Sequence, residues 1–428
     1  MNHISMRAIY TLSYYLLIPF ILLRFLWKSR HTVGYRKRWN ERFGYVPFLV
    51  GKESLWIHAV SVGETLAAMP LIKSIIKNYS KDFRIIVTTT TPTGSALVTK
   101  HLDQSVLHLY APLDAPTTVS RFLKRCRIKL CVIMETEMWP TLLMTCQSHN
   151  IPVVLTNARL SEKSYSGYKF IGSLTKKMMG AYHAVAAQGV LDGERFLQLG
   201  LDPKKLSVTG NIKFDLRISD ELIAEGKKIR AQIGEQRRVL VAASTHETEE
   251  AIVLDAFKKI REQIPNLFLI LVPRHRDRFQ KVSELCLQKN YSLVLRSTQT
   301  PITEKTDILL LDSIGELQMI YAAGDIAFIG GSFVSTGGHN PVEAAALGLP
   351  VLTGPHLFNF TDISKLLQNV GAEQIVTDAT TLAEAVIALC SAKELREKIG
   401  LRAKKTIDEN RGALQKQLEV IAGCIAQL

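Results

Sequence analysis

The stretch Gly330 to Pro355, GGSFVSTGGHNPVEAAALGLPVLTGP, decides the fold. The run from Asp325 to Ile329 before it reads as a buried parallel strand and the Ala-rich segment inside it as a helix, so a strand hands a glycine-rich turn to a helix start. Asn340 is a good N-cap, Pro341 suits the first helical position, Val342 follows, and Glu343 stands three residues after the cap, the form of a capping box. Gly337 and Gly338 let backbone approach a ligand closely, and the helix start offers unpaired N–H groups to an anion. A nucleotide phosphate is expected there. Glu343 would oppose a phosphate at the same helix end, so ribose hydroxyls are its expected partners. The chain holds neither the dinucleotide fingerprint nor a Walker A loop. Any α/β protein can place a capped helix after a glycine turn, and these residues alone leave both readings open.

Outward from this stretch, short apolar runs alternate with helical patterns. SLWIHAV, RIIVTTT, Lys129 to Met134, Pro152 to Asn157 and Ala184 to Ala187 read as strands of a first domain. The pattern pauses near residues 211 to 220 and restarts with RRVLVAA, NLFLILVP, YSLVL, ILLLD, DIAFIG and PVLTG. Two successive doubly wound α/β domains follow, with a ligand cleft expected between the carboxyl ends of their strands. The expected boundaries are residues 1–30 for an anchor, 31–214 for an N-terminal domain and 215–428 for a C-terminal domain. The final helices, from Ala392 onward, are candidates to pack back on the first domain.

Charge narrows the class of partner. The 428 residues carry 53 Lys and Arg against 39 Asp and Glu, a formal net charge of +14, which favours an anionic partner. Seven of the basic residues (Arg24, Lys28, Arg30, Arg36, Lys37, Arg38 and Arg42) crowd behind the apolar run AIYTLSYYLLIPFILL at residues 8–23. A membrane surface is therefore the expected partner, and nucleic acid is not. Sixteen residues are short for a span, although Phe25, Leu26, Trp27 and snorkelling arginines can extend them. An interfacial helix serves equally well, and no small-residue cleavage site marks a signal peptide. The positive-inside rule leaves the bulk of the chain in the cytoplasm. The six cysteines are scattered without metal-ligand spacing, and HETEE at residues 246–250 lacks the second histidine of a zinc protease motif. No metal is assigned.

Charged residues gather at strand ends. Glu64, in SVGETLAAMP, lies where the first strand hands over to its helix; an isolated Glu there also simply favours the helix dipole. Glu135 and Glu137, in METEMWP, end the LCVIM strand, and if that strand continues both carboxylates share one face beside Trp139. Lys213, in VTGNIKFD, and Pro273 with Arg274, in LVPRHRDRF, supply cations suited to a substrate with carboxylate and phosphate groups. Gly315, Glu316 and Leu317 open another helix aimed at the same region.

Taken together, SVGETLAAMP, TTTTPTGS, METEMWP, NARLS, TGNIKFD, ASTHETEE, LVPRHRDRF, GGSFVSTGGHNPVEAAA and GPHLFNF resemble the 3-deoxy-D-manno-octulosonic acid (Kdo) transferases of Gram-negative bacteria. The resemblance runs from YRKRW nearly to the carboxyl end. It implies a GT-B fold and an inverting, metal-independent transfer of Kdo from CMP-Kdo to lipid IVA at the cytoplasmic face of the inner membrane, with no cofactor. On the matching positions it implies Glu64 as general base, and Glu135 and Lys213 as transition-state stabilisers. Pro273, Arg274, Gly315 to Leu317 and Asn340 to Glu343 correspond to segments that bind CMP. An unperturbed Glu is a poor base, so hinge motion near residues 211–220 is expected to exclude water around Glu64. A nucleotide-sugar epimerase of the same fold and a membrane-attached binding module without catalysis are the alternatives.

Overall fold

The computed structural model describes residues 6–30 and 32–428. Two compact units emerge, Met1–Asp215 with Arg411–Leu428, and Leu216–Asn410.

The first unit is built on strands β1 (Ser54–His58), β2 (Arg84–Thr89), β3 (Leu107–Tyr110), β4 (Ile128–Met134), β5 (Val153–Ala158), β6 (Ala184–Ala187) and β7 (Leu206–Val208). They form one parallel sheet in the order β3-β2-β1-β4-β5-β6-β7. Helices cover both faces, so a central strand such as β4 is apolar on both sides and reads as an unbroken run. Its alternate residues separate into two cores. Cys131 and Ile133 join Trp56, Phe122 and Leu155 on one face, while Leu130 and Val132 join Leu55, Ile57 and Ile72 on the other. The helix Pro116–Cys126 shows the matching period, burying Val119, Phe122, Leu123 and Cys126.

The second unit repeats the plan with β8 (Val239–Thr245), β9 (Phe268–Pro273), β10 (Leu293–Leu295), β11 (Ile308–Leu310), β12 (Ile326–Ile329), β13 (Val351–Thr353) and β14 (Glu373–Ile375). The order is β10-β11-β9-β8-β12-β13-β14, again with every recorded pairing parallel. In each sheet the winding reverses beside the first strand, between β1 and β4 in one and between β8 and β12 in the other. Such a reversal splays the neighbouring loops apart at the carboxyl ends of the strands and opens a crevice for ligands.

All the strands expected from sequence are present, and β3, β7 and β14 come in addition. Of the last helices only Ala413–Ile425 lies in the first unit, while Lys393–Glu409 stays in the second. Ile421 and Cys424 of the helix Ala413–Ile425 enter the core that holds Leu55 and Val132. The carboxylate of Asp215 accepts the N–H groups of Gly412 and Leu414, each at 2.5 Å, so the chain leaves and re-enters the first unit at one side chain. Removing such a charged acceptor strands two helix-start donors. Asp215→Ala is therefore expected to destabilise the first unit by about 1–3 kcal/mol, read as a lower urea midpoint at unchanged slope.

Candidate functional site

In the first unit, β1 and β4 end on either side of the winding reversal, and the candidate carboxylates follow them directly. Ser61 caps the helix Val62–Tyr79 by accepting the Glu64 N–H at 3.2 Å. The Glu64 side chain folds back to accept the Val60 N–H at 2.8 Å and the Ser61 hydroxyl at 2.9 Å, which fixes its rotamer. The residue as a whole is 8 % exposed. Burial raises its pKa to about 7; Glu137 adds to the shift, the two hydrogen bonds oppose it, and Glu135 adds a smaller push upward. A carboxyl with that affinity can take a proton at neutral pH.

The expectation of one shared face for Glu135 and Glu137 needs correction. The strand stops at Met134, and Glu135 adopts the left-handed backbone region (φ 55°), which turns the chain away from the sheet. The two side chains find different partners. Glu135 pairs with Lys213, Nζ to Oε1 at 3.2 Å, whereas Glu137 accepts the Trp139 indole N–H at 2.6 Å. Trp139 meets His58 edge to face, with ring centroids 4.7 Å apart. His58 is fully buried, so its pKa falls to about 3 and the ring is neutral.

Lys213 is aimed by a relay of amides. Ile212 donates its N–H to Asn157 Oδ1 at 3.0 Å, Gln188 reaches the Asn157 carbonyl at 2.9 Å, and Asn211 donates to Gln188 at 2.9 Å. Asn211 Oδ1 then accepts the Lys213 N–H at 3.0 Å. Glu64, Glu135 and Lys213 thus belong to one region, joined by Glu137, Trp139 and the amides of Asn157 and Gln188. NARLS contained the first of those amides, but its role depends on a partner 55 residues away.

In the second unit the opening of the glycine-rich turn is tied to a buried carboxylate. Glu249 is fully buried, and its carboxylate accepts the N–H groups of Gly331 (2.7 Å), Ser332 (3.0 Å), Phe333 (2.8 Å) and His246 (2.8 Å). Gly338 and His339 donate back to the carbonyls of Gly331 and Gly330. The N–H groups of Gly331 to Phe333 are therefore taken up within the protein, ahead of the Gly337, Gly338 and 340–343 segment where the phosphate is expected. The capping box is also absent. The helix spans Val342–Ala346 behind Pro341; Asn340 Oδ1 accepts the Val342 N–H at 3.1 Å, while Glu343 turns to Gln318 at 3.4 Å. That contact joins the 315–317 and 340–343 segments, because Gln318 stands in the helix Leu317–Tyr321. Glu316 faces Arg296 at 3.1 Å and accepts the Ser313 hydroxyl.

Arg274 follows the last residue of β9, Pro273, and donates its backbone N–H to Thr245 at 2.9 Å. Among the described residues its exposed guanidinium has no recorded ion-pair or hydrogen-bond partner. Burial raises the pKa of Glu343, against smaller downward pulls from the Gln318 hydrogen bond and the Arg274 charge, while burial lowers His246 and His339 and the same cation pushes both further down. Those histidines were not singled out from sequence. Their Nε2 atoms lie 2.8 Å apart with the rings stacked, so one nitrogen must carry the hydrogen and the other accept it. Burial, reinforced by Arg274, drops His339 to about 3. Gly331 (φ 68°) makes room for this pair, since a Cβ there would meet His339 Cδ2 at 2.8 Å. Their signal lay in ASTHETEE, where His246 directly follows β8, and in GGHNP, where His339 sits in the glycine turn behind β12.

Known proteins match this chain along its length. Residues 37–216 match the family described as 3-deoxy-D-manno-octulosonic-acid transferase (kdotransferase), and residues 226–406 match the glycosyl transferases group 1 family. The chain is 40 % identical to the 3-deoxy-D-manno-octulosonic acid transferase of Haemophilus influenzae over 418 residues, 97 % of this chain and 98 % of that one. Among solved structures it is similar to a glycosyltransferase from Rickettsia africae, with a TM-score of 0.56 and 14 % identity over 88 % of this chain and 99 % of that one. A UDP-GlcNAc 2-epimerase from Neisseria meningitidis gives a TM-score of 0.58 at 14 % identity, over 87 % and 100 %. At such identity the last two likenesses speak for the fold alone, which is the GT-B arrangement of two parallel-sheet α/β units.

Glu249 gives this region its clearest stability test. Glu249→Ala leaves four N–H donors without their acceptor, at about 1–3 kcal/mol for each one that stays dry. The second unit is expected to lose more than about 3 kcal/mol in denaturant titration, with hydrogen exchange at Gly331 to Phe333 accelerating first.

Proposed function

The chain belongs to the 3-deoxy-D-manno-octulosonic acid transferase family, and on that premise we propose that it moves Kdo from CMP-Kdo to a hydroxyl of lipid IVA with inversion at the anomeric carbon. The helix Met6–Lys28 is proposed to hold it at the cytoplasmic face of the inner membrane, where a lipid acceptor would be found. The observation that carries the reading is Glu64, a buried carboxyl with a pKa of about 7 at the point where the first sheet reverses its winding.

In this mechanism Glu64 accepts the proton of the acceptor hydroxyl while that oxygen bonds to the anomeric carbon, and the bond to the CMP phosphate breaks on the opposite face. The Glu135–Lys213 pair places a cation with a defined position beside the base, available to the carboxylate of the sugar. The departing phosphate gathers negative charge. Arg274, exposed and without a recorded ion-pair partner among the described residues, is suited to bind it, and Glu343 remains free of phosphate contact to meet ribose hydroxyls. Metal is not required, because neither bond change needs a Lewis acid once these charges are in place.

The pH dependence follows from the sign of the shift. Glu64 is protonated below about 7 and cannot act as a base there, so kcat/KM should climb through about pH 7 and level off above it. Glu64→Gln should reduce transfer by about 10²–10⁴-fold or more while CMP binding persists. Glu137→Gln removes a charge that raises the Glu64 pKa and should move the rising limb to lower pH. A flat profile between pH 5 and 8 in a purified assay with CMP-Kdo and lipid IVA, at about full activity for Glu64→Gln, rejects the assignment of the base.

A further inference from the structure

The helix Met6–Lys28 has 23 residues and, by length and composition alone, could cross a bilayer. At about 1.5 Å per residue it is roughly 35 Å long, against a hydrocarbon core of about 30 Å. Its contacts point elsewhere. Half-buried positions recur along one stripe, at Tyr10, Tyr14, Ile18, Ile21, Phe25 and Lys28, the period of a helix lying against a surface from end to end.

Both ends of that stripe are fastened to the first unit. Near the start, Tyr10 donates its hydroxyl to Asp114 at 2.8 Å, the Asp114 N–H reaches the Tyr14 hydroxyl at 3.1 Å, and Tyr15 meets Thr117 at 2.9 Å. Near the finish, the buried Arg42 guanidinium lies 4.6 Å from the Phe25 ring centroid, and Phe25 stacks on Tyr35 at 5.8 Å. Asp114 is itself buried, receiving the N–H groups of Thr141 and Leu142. For the helix to span, Asp114, Thr117 and Arg42 would have to enter hydrocarbon with it, or all of these contacts would have to break.

The opposite stripe carries Leu12, Leu16, Phe20, Leu23 and Trp27, between 60 and 67 % exposed. This is a continuous apolar ridge in full contact with solvent, larger than scattered surface residues account for. Arg24, Arg30, Arg36, Lys37 and Arg38 are exposed next to its carboxyl-terminal end, a charge complement for anionic head groups.

We infer that this helix lies in the plane of an anionic membrane surface without crossing it, the ridge from Leu12 to Trp27 sinking among acyl chains and the tyrosine stripe gripping the first unit. The inference rests on the membrane association proposed above and adds its geometry. A helix so placed fixes the first unit against the surface from which a lipid acceptor is drawn, which a flexible tether would not do.

Two variants of the full chain, each adding one exposed cysteine, test it, because the six native cysteines are all buried. Arg7→Cys and Arg30→Cys sit beyond the two ends of the ridge, outside any proposed catalytic group. Each is bound to vesicles of phosphatidylglycerol and phosphatidylethanolamine and treated with a membrane-impermeant maleimide, before and after detergent. The expected result is equal labelling of both sites before detergent. Loss of labelling at Arg7→Cys alone, restored by detergent, means the helix spans and overturns the inference. Failure of the wild-type chain to float with the vesicles removes the membrane association itself, a separate outcome.

Discussion

A parallel strand cannot return to its neighbour without a crossover, and in this chain nearly every crossover carries a helix that covers a face of the sheet. Once both faces are covered, polar side chains have few places left except the loops at strand ends. The reversals beside β1 and β8 then decide which loops diverge enough to admit a ligand. Glu64 and Glu135 follow the two strands of one reversal; His246 and the Gly330 turn follow the two strands of the other. The chemistry of this protein is thus positioned by winding order before any individual contact is considered.

That constraint also explains which parts of the fold could be read from sequence. Central strands such as β4 and β9 are buried on both faces and stand out as apolar runs. β3, β7 and β14 lie at sheet edges, and their residues LHLY, LSV and EQI are partly or largely exposed, so alternation and hydrophobicity both fade. The site shows the same division. Glu64 and Arg274 stand out as candidates in sequence because one lies in the first turn of the helix behind β1 and the other directly follows β9. Glu249 was not, because its partners are donors at residues 331–333, more than 80 positions away, and nothing local distinguishes it from a helix-start acid.

The Glu249 carboxylate changes how the glycine stretch should be understood. The stretch's opening donors, at Gly331 to Phe333, are met by an internal carboxylate, which fixes the approach to the Gly337 and Gly338 segment that sequence marks for an anion. Buried donors of this kind need an acceptor at all times, whether or not a ligand is present. A turn held this way keeps its shape when empty, at the expense of the donors themselves. Arg274, exposed near the turn, is a side chain suited to bind an anion there. The neutral histidine pair beside it adds hydrogen-bonding atoms without adding charge.

Glutamates of the same chemical type are given different tasks by their surroundings. Glu135 is ion-paired, Glu137 is bound to an indole N–H, and Glu249 is spent on backbone. Glu64 alone among these combines burial with two nearby carboxylates and only two modest hydrogen bonds. An exposed Glu with a pKa near 4.3 is too weak a base for a sugar hydroxyl, which from sequence made closure of the molecule look necessary. Burial and two neighbouring carboxylates already lift Glu64 to about 7. The basicity of Glu64 is thus supplied by its surroundings, and what the reaction still demands is alignment of the reacting atoms, where a misplacement of about 1 Å costs about 10²-fold in rate.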